Sequence, residues 1–420
     1  MSTTEQRWSL PADRRGAVAL GLVALAVFGL AWALLHRGFY ERDQIVDTPV
    51  YQRYGDAMLD GQVPYRDFRV EYPPAALPVF LLPAIGDHHD ELTYRRSFER
   101  LMAICGLLAV AGAALALIAL RAEPERMIAA LAFVALAPLA LGSVILTRFD
   151  LWPAALSVLG LAAILFARNR LGLGVLGLAA AAKIFPAVLV PPALIYVWRR
   201  HGRREAIVCG AICAGVVALC FLPFVILSPG GVWDSLHRQA DRPLQIESLG
   251  SSFLLVAHQL GWYTVHLNLS HGSQNQGGSL PDAIGGVQSV VQALAVIALW
   301  IAFARGPAAP ERLVRYSAAC VVTFVALGKV LSPQFLIWLI PLVPLVAGRR
   351  GLVASAVLAL ALVLTQLWFP FHYWDLALRL DERASYLVLA RDLVLVALAV
   401  VLVIPLPTER RDRVEVATRV

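Results

Sequence analysis

Lysine is nearly missing from this sequence: of 36 basic side chains, only Lys183 and Lys329 are lysines. Charge of either sign is scarce at 15% of residues, against 59% apolar and a mean hydropathy of +0.68. That balance excludes an ordinary soluble globular protein, and repeated apolar runs of about 20 residues fit bilayer spans. The five cysteines (Cys105, Cys209, Cys213, Cys220, Cys320) all fall inside apolar runs, so no disulfide framework is implied. The histidines His88, His89, His258, His266, His271 and His372 are scattered without zinc-ligand spacing, and neither a metal nor a cofactor is expected. The net charge is +7, but the arginines sit in short groups between apolar runs. There they mark membrane topology, and no nucleic-acid partner is expected.

What is present reads as one polytopic all-α membrane domain, residues 1–420, with about 12 crossings. Arg7, Arg14 and Arg15 precede the run Gly16 to Leu35, an uncleaved first span with a cytoplasmic N-terminus. A first outer loop, 37–97, follows, with helix-like spacing from Thr48 to Leu59 and a short apolar run after Pro73-Pro74 that is interfacial or re-entrant. Leu171 to Trp198 is bounded by arginines on both sides, so a single crossing conflicts with the positive-inside rule. Each arm of about 14 residues gives about 21 Å of helix, short of the roughly 30 Å core. The turn Ala182-Lys183-Ile184-Phe185-Pro186 is therefore expected below the outer surface, where irregular backbone lines a polar cavity or is buried in protein. Tyr316 to Gly348 repeats the pattern around Lys329. A second outer loop spans 228–285, and the tail 405–420 is cytoplasmic. The even crossing count agrees with the arginine distribution in placing both termini in the cytoplasm, and the expected location is a bacterial inner membrane.

The stretch from Asp47 to Pro74 carries Asp47, Asp56, Asp60, Asp67 and Glu71 among Tyr51, Tyr54, Tyr65 and Tyr72. Phenol rings suit the boundary between hydrocarbon and water, so this loop is expected to lie on the membrane surface as a lid. A lysine amid hydrocarbon is costly, and two at matching mid-hairpin places suggest that a compact point charge is wanted. The natural ligand is a phosphate; the plainer reading is a structural pair or a snorkelling side chain. Arg148, in the turn Thr147-Arg148-Phe149-Asp150, is either a second phosphate contact or half of an interfacial pair with Asp150. Arg391-Asp392 reads as a structural ion pair. Transfer of a sugar from a phosphate carrier to a hydroxyl needs a general base and fixed positive charge on the departing phosphate. Asp47, nearest the end of the first span, and Glu71 are the candidate bases, and Lys183, Arg148 and Lys329 the candidate phosphate ligands.

Asp47-x-x-Val50-Tyr51, Gly61-x-x-Pro64-Tyr65 and Glu71-Tyr72-Pro73-Pro74 resemble the first outer loop of glycosyltransferase family 87. Arg148-Phe149-Asp150, Ala182-Lys183-x-x-Pro186 and Leu331-Ser332-Pro333-Gln334 resemble its later signatures. The resemblance implies a GT-C-like bundle and an inverting transfer from a polyprenyl-phosphate sugar, commonly mannose, to a glycolipid or glycan acceptor on the outer face. It also implies that the early aspartate, here Asp47, is the general base, with no metal needed. Tyr51, Tyr65, Tyr72, Asp150 and Gln334, which stand within these motifs, are the candidate cavity residues. Mannosyltransferases of that family tend to carry histidine a few residues after the Ser-Pro, where this chain has Gln334-Phe335-Leu336-Ile337-Trp338. The competing reading from the residues is a secondary transporter with broken helices. A non-catalytic lipid-binding or assembly subunit is a third.

Overall fold

The computed structural model describes residues 12–42, 44–86 and 89–404. Arg7, Asp43, His88 and the tail 405–420 lie outside the described residues.

The chain enters through α1 (Ala12–Leu34) and reaches the first loop, which folds as α2 (Thr48–Leu59), a 3₁₀ turn at Pro74–Ala76 and α3 (Leu77–Ala84). Asp90 then caps α4 (Glu91–Ala119) by accepting from the Thr93 amide at 2.8 Å. After α4 come α5 (Pro124–Leu141), the Thr147–Asp150 turn, α6 (Leu151–Leu165) and α7 (Asn169–Ala182). α6 lies between α4 and α7, and α7 packs in turn on α9 (Arg203–Leu227). That last approach is close because Gly177 has no side chain; a Cβ there would meet the Cys213 carbonyl at 2.7 Å.

The break expected at Lys183 is present. Pro186 cannot donate to a helix, and proline disfavours helical backbone in the residue before it. α7 ends at Ala182, Lys183 is extended (φ −157, ψ 148), and a 3₁₀ stretch, Phe185–Leu189, leads into α8 (Val190–His201). Ala181 and Ala182 pack on Ala75 of the first loop, so the hairpin reaches the loop-bearing end of the bundle. Beyond α9, the second loop comprises α10 (Pro229–Ala240), α11 (Leu249–Gln259) and a hairpin of β1 (Leu267–Ser270) and β2 (Ser273–Gln276), paired Leu267 to Gln276. α12 (Ser279–Arg305) and α13 (Pro310–Ala326) follow.

The second hairpin differs from the first. Its return arm is not an α-helix but two 3₁₀ pieces, Pro333–Trp338 and Val343–Leu345, buried almost throughout from Leu336 to Val346. α14 (Gly348–Trp368), α15 (Tyr373–Arg379) and α16 (Glu382–Val403) complete the chain.

Seven helices among the described residues (α1, α4, α5, α9, α12, α14, α16) are long and apolar enough to cross a membrane. With α6 and the arms of the two hairpins, they make up the segments expected as about 12 crossings. The protein is an all-α polytopic membrane protein. α4 is largely buried in the bundle and α9 hardly at all, so α4 is central and α9 lies on the lipid-facing periphery. Arginine contacts tie the end opposite the loops: Arg126 to Glu311 at 2.7 Å, Arg170 to Glu205 at 2.8 Å, and Arg199 to the Ala304 carbonyl at 3.0 Å.

The first-loop tyrosines correct the sequence reading. Tyr51 and Tyr65 are buried rather than laid on a membrane surface. Tyr51 stacks on Phe80 at 4.6 Å and meets Phe149 edge-on at 5.9 Å, while Tyr65 donates to the Tyr72 carbonyl at 2.6 Å. Their rings fasten the loop to the bundle, each burying a large apolar face with its hydroxyl satisfied.

Candidate active site

Among the described residues, four aspartates stand at helix N-caps, and they divide into two pairs. Asp90 and Asp381 bond the free amides of α4 and α16, as N-cap carboxylates ordinarily do. Asp47 at α2 and Asp150 at α6 make no side-chain cap. Forgoing a cap costs about 1 kcal/mol, and both carboxylates turn instead to cations on other elements.

Asp47 forms an ion pair with Arg148 Nη1, and Tyr51 Oη donates to its other oxygen at 3.4 Å. Arg148 is buried, whereas the Asp47 side chain is 31% exposed, so the carboxylate is held in place yet reachable. Arg148 Nη2 also donates to the Ile45 carbonyl at 3.4 Å, and its Nε is buried with no partner.

Asp150 is fully buried. Its Oδ1 accepts from Lys183 Nζ and from Trp338 Nε1, each at 2.6 Å, while its Oδ2 has no partner. Around the ammonium stand the rings of Phe149 (4.6 Å), Trp338 (5.1 Å) and Phe335 (5.4 Å). Trp338 is itself stacked between Phe185 at 4.1 Å and Phe335 at 4.2 Å. The ring cage gives cation–π attraction to a charge that hydrocarbon would otherwise expel. Both hairpin turns meet here, because Lys183 comes from the first and Trp338 from the second.

A third carboxylate, Glu247, lies on the loop between α10 and α11. It has no role in the sequence reading, because nothing in its local pattern distinguishes it from a solvated loop residue. Its Oε2 accepts from Gln245 Nε2 at 3.1 Å and from Ser332 Oγ at 3.3 Å. Arg391 donates to its backbone carbonyl at 2.8 Å. Burial pushes the Glu247 carboxyl up to about 7, against the opposing pull of Arg391, the Ser332 hydrogen bond and Arg148. Arg391 and Asp392 form the structural pair expected of them, at 2.7 Å and fully buried.

The other candidates are more dispersed. Glu71 is exposed beside α10, where Gln239 donates to its backbone carbonyl at 2.8 Å, and it borders a small cleft with Ser235, Arg238, Gln239 and His271. Lys329 donates to the Ala240 carbonyl at 2.8 Å and supports the second loop without touching the Lys183 cluster. Tyr72 is half-buried, edge-on to Phe149 at 4.8 Å. Gln334, also half-buried, follows the Ser332-Pro333 corner beside Phe335. The structure thus unites Asp47, Arg148, Asp150, Lys183, Tyr51 and Tyr72 around the Thr147–Asp150 turn, and leaves Glu71 and Lys329 at the second loop.

Such a group holds one partly exposed carboxylate beside two buried cations, each already paired with a carboxylate, and it joins the residue types that proton removal and anion stabilisation need. A family model described as glycosyltransferase family 87 matches residues 71–333, more than half of the chain. The matched stretch includes Glu71, Arg148, Asp150, Lys183 and Lys329 and begins after Asp47. No curated protein matches the chain.

Proposed function

The chain belongs to glycosyltransferase family 87 and is a membrane glycosyltransferase, and on that footing we propose an inverting transfer from a polyprenyl-phosphate sugar to a hydroxyl. The sugar proposed is mannose, the acceptor a glycolipid or glycan, and the site the outer face of a bacterial inner membrane with both termini cytoplasmic. Family membership favours this reading over a transporter.

In the proposed reaction Asp47 accepts the proton of the acceptor hydroxyl as its oxygen attacks the anomeric carbon. The bond from that carbon to the phosphate oxygen breaks, and polyprenyl phosphate departs with the electron pair. Configuration inverts because attack and departure occur on opposite faces. Lys183 and Arg148 supply the positive field beneath the phosphate, with Lys329 at the second loop assisting, and the isoprenoid tail lies between spans. Glu71, exposed and away from the cation floor, is the weaker candidate base. Tyr51, Tyr72 and Asp150 would shape a substrate cavity around the Thr147–Asp150 turn, with Tyr65 supporting it through the Tyr72 carbonyl and Gln334 contributing from the second hairpin.

The observation that carries this reading is the diversion of Asp47 from its capping duty to a buried arginine while its carboxylate stays accessible. Asp47→Asn tests it. Removing a general base costs about 10²- to 10⁴-fold in rate, so transfer from a mannosyl polyprenyl-phosphate donor should fall by that factor while donor binding persists. An Asn variant within a few-fold of wild type would remove Asp47 from the mechanism.

A further inference from the structure

We propose that Arg242, on the loop between α10 and α11, binds the departing phosphate directly. The inference rests on the polyprenyl-phosphate reading above and adds a ligand from a part of the chain outside the cation floor.

The site already described has its charges largely neutralised. Arg148 is paired with Asp47 and Lys183 with Asp150. When the sugar leaves, a phosphodiester with one negative charge becomes a phosphomonoester with up to two, and stabilising that increment calls for a cation without its own carboxylate. Arg242 fits. Its Nη2 donates only to neutral oxygens, the His271 carbonyl at 3.3 Å and Ser273 Oγ at 3.2 Å, and its Nε is buried with no partner. No carboxylate among the described residues forms an ion pair with it. It lies within electrostatic range of Glu71, Tyr72 and Glu247, and Lys183 lies within range of it.

The segment that carries Arg242 is firmly held. The Gln245 amide donates to the Lys329 carbonyl at 3.0 Å, the Ile246 amide to Gln274 at 3.1 Å, and the Gln276 amide to the Leu244 carbonyl at 2.9 Å. Lys329, itself bonded to the Ala240 carbonyl, therefore assists the phosphate indirectly, as a brace for the Arg242 segment. Burial lowers the Arg242 pKa from its ordinary value, but a guanidinium keeps its proton at any working pH. Its planar fork suits two phosphate oxygens at once.

The plainer role is a strut for the β1–β2 hairpin, and binding measurements separate the two. Wild type, Arg242→Gln and Ser273→Ala, in detergent, are titrated with a short-chain polyprenyl monophosphate and with the matching uncharged polyprenol. The phosphate ligand role requires Arg242→Gln to lose about 10-fold or more in monophosphate affinity with polyprenol affinity unchanged. It also requires Ser273→Ala, which loosens the hairpin but leaves the guanidinium, to keep the monophosphate preference. Equal preference in Arg242→Gln and wild type overturns the role of Arg242, as does a Ser273→Ala variant that reproduces the loss. A wild-type protein indifferent to the phosphate overturns the donor reading together with it.

Discussion

Replacing Lys183 with methionine separates a structural ammonium from a working one. The side chain is 14% exposed and Asp150 not at all, so the substitution strands a buried carboxylate. Breaking a buried pair from one side costs about 3–5 kcal/mol. Trp338 Nε1 still donates to Asp150, which places the expected loss at the low end, about 3 kcal/mol. Lys183→Met should therefore melt several degrees lower in detergent and transfer no sugar. The paired variant Lys183→Met with Asp150→Asn removes both charges and leaves the amide to meet Trp338. Swapping out both members of a buried pair is often close to neutral, so thermal stability should largely return. If the ammonium serves the donor phosphate, transfer stays absent in the paired variant, and its monophosphate affinity stays low. Recovery of transfer along with stability would refute that role and leave Lys183 as the counter-ion of Asp150 alone.

Trp338→Phe keeps the stack between Phe185 and Phe335 but deletes the donor to Asp150. A lost hydrogen bond to a buried charge costs about 1.5–3 kcal/mol, so a lower melting temperature is expected, and an unchanged one would show that water replaces the indole. For Glu247 the sign follows from its raised pKa: the folded state holds the proton more tightly than the unfolded chain. That contribution is complete below the ordinary carboxylate range and is lost as pH rises through about 7. Its size is on the order of 3 kcal/mol. Glu247→Gln should flatten this fall between pH 4.5 and 7 in a series of melting curves, and an undiminished slope would place its origin elsewhere.

Arginine groups flanking 28 residues were enough to infer a hairpin, and Pro186 with Lys183 located its break. Those are local signals, set by hydrophobic length and by one residue that cannot continue a helix. The partners of the break were not legible. Asp150 lies 33 positions away from Lys183 and Trp338 lies 188 away from Asp150, and their meeting depends on α6 packing against α7 and on the second hairpin arriving beside the first. The Asp47–Arg148 pair is likewise made between residues far apart in sequence. The tyrosines were misjudged because an amphipathic ring suits an interface and a buried niche with one acceptor alike; only the presence of Phe80, Phe149 and the Tyr72 carbonyl decides between them. The return arm was misjudged for a related reason, since apolar composition fixes burial but not helix type.

That return arm bears on how the protein is made. An α-helix satisfies its own backbone and can enter a bilayer alone, whereas the stretch around Pro333–Trp338 and Val343–Leu345 relies on three-residue turns, interrupted between Trp338 and Val343 where Pro341 stands. Naked in lipid, its unpaired amides and carbonyls would each cost several kcal/mol. Such a stretch has to thread into a protein lining made by α5, α6, α13 and α14, which contact it. Since α14 is translated after it, this stretch cannot gain its whole lining in strict chain order: the segment carrying Trp338 is fully enclosed only when a later helix closes the wall, and the Lys183–Asp150–Trp338 cluster is sealed only then.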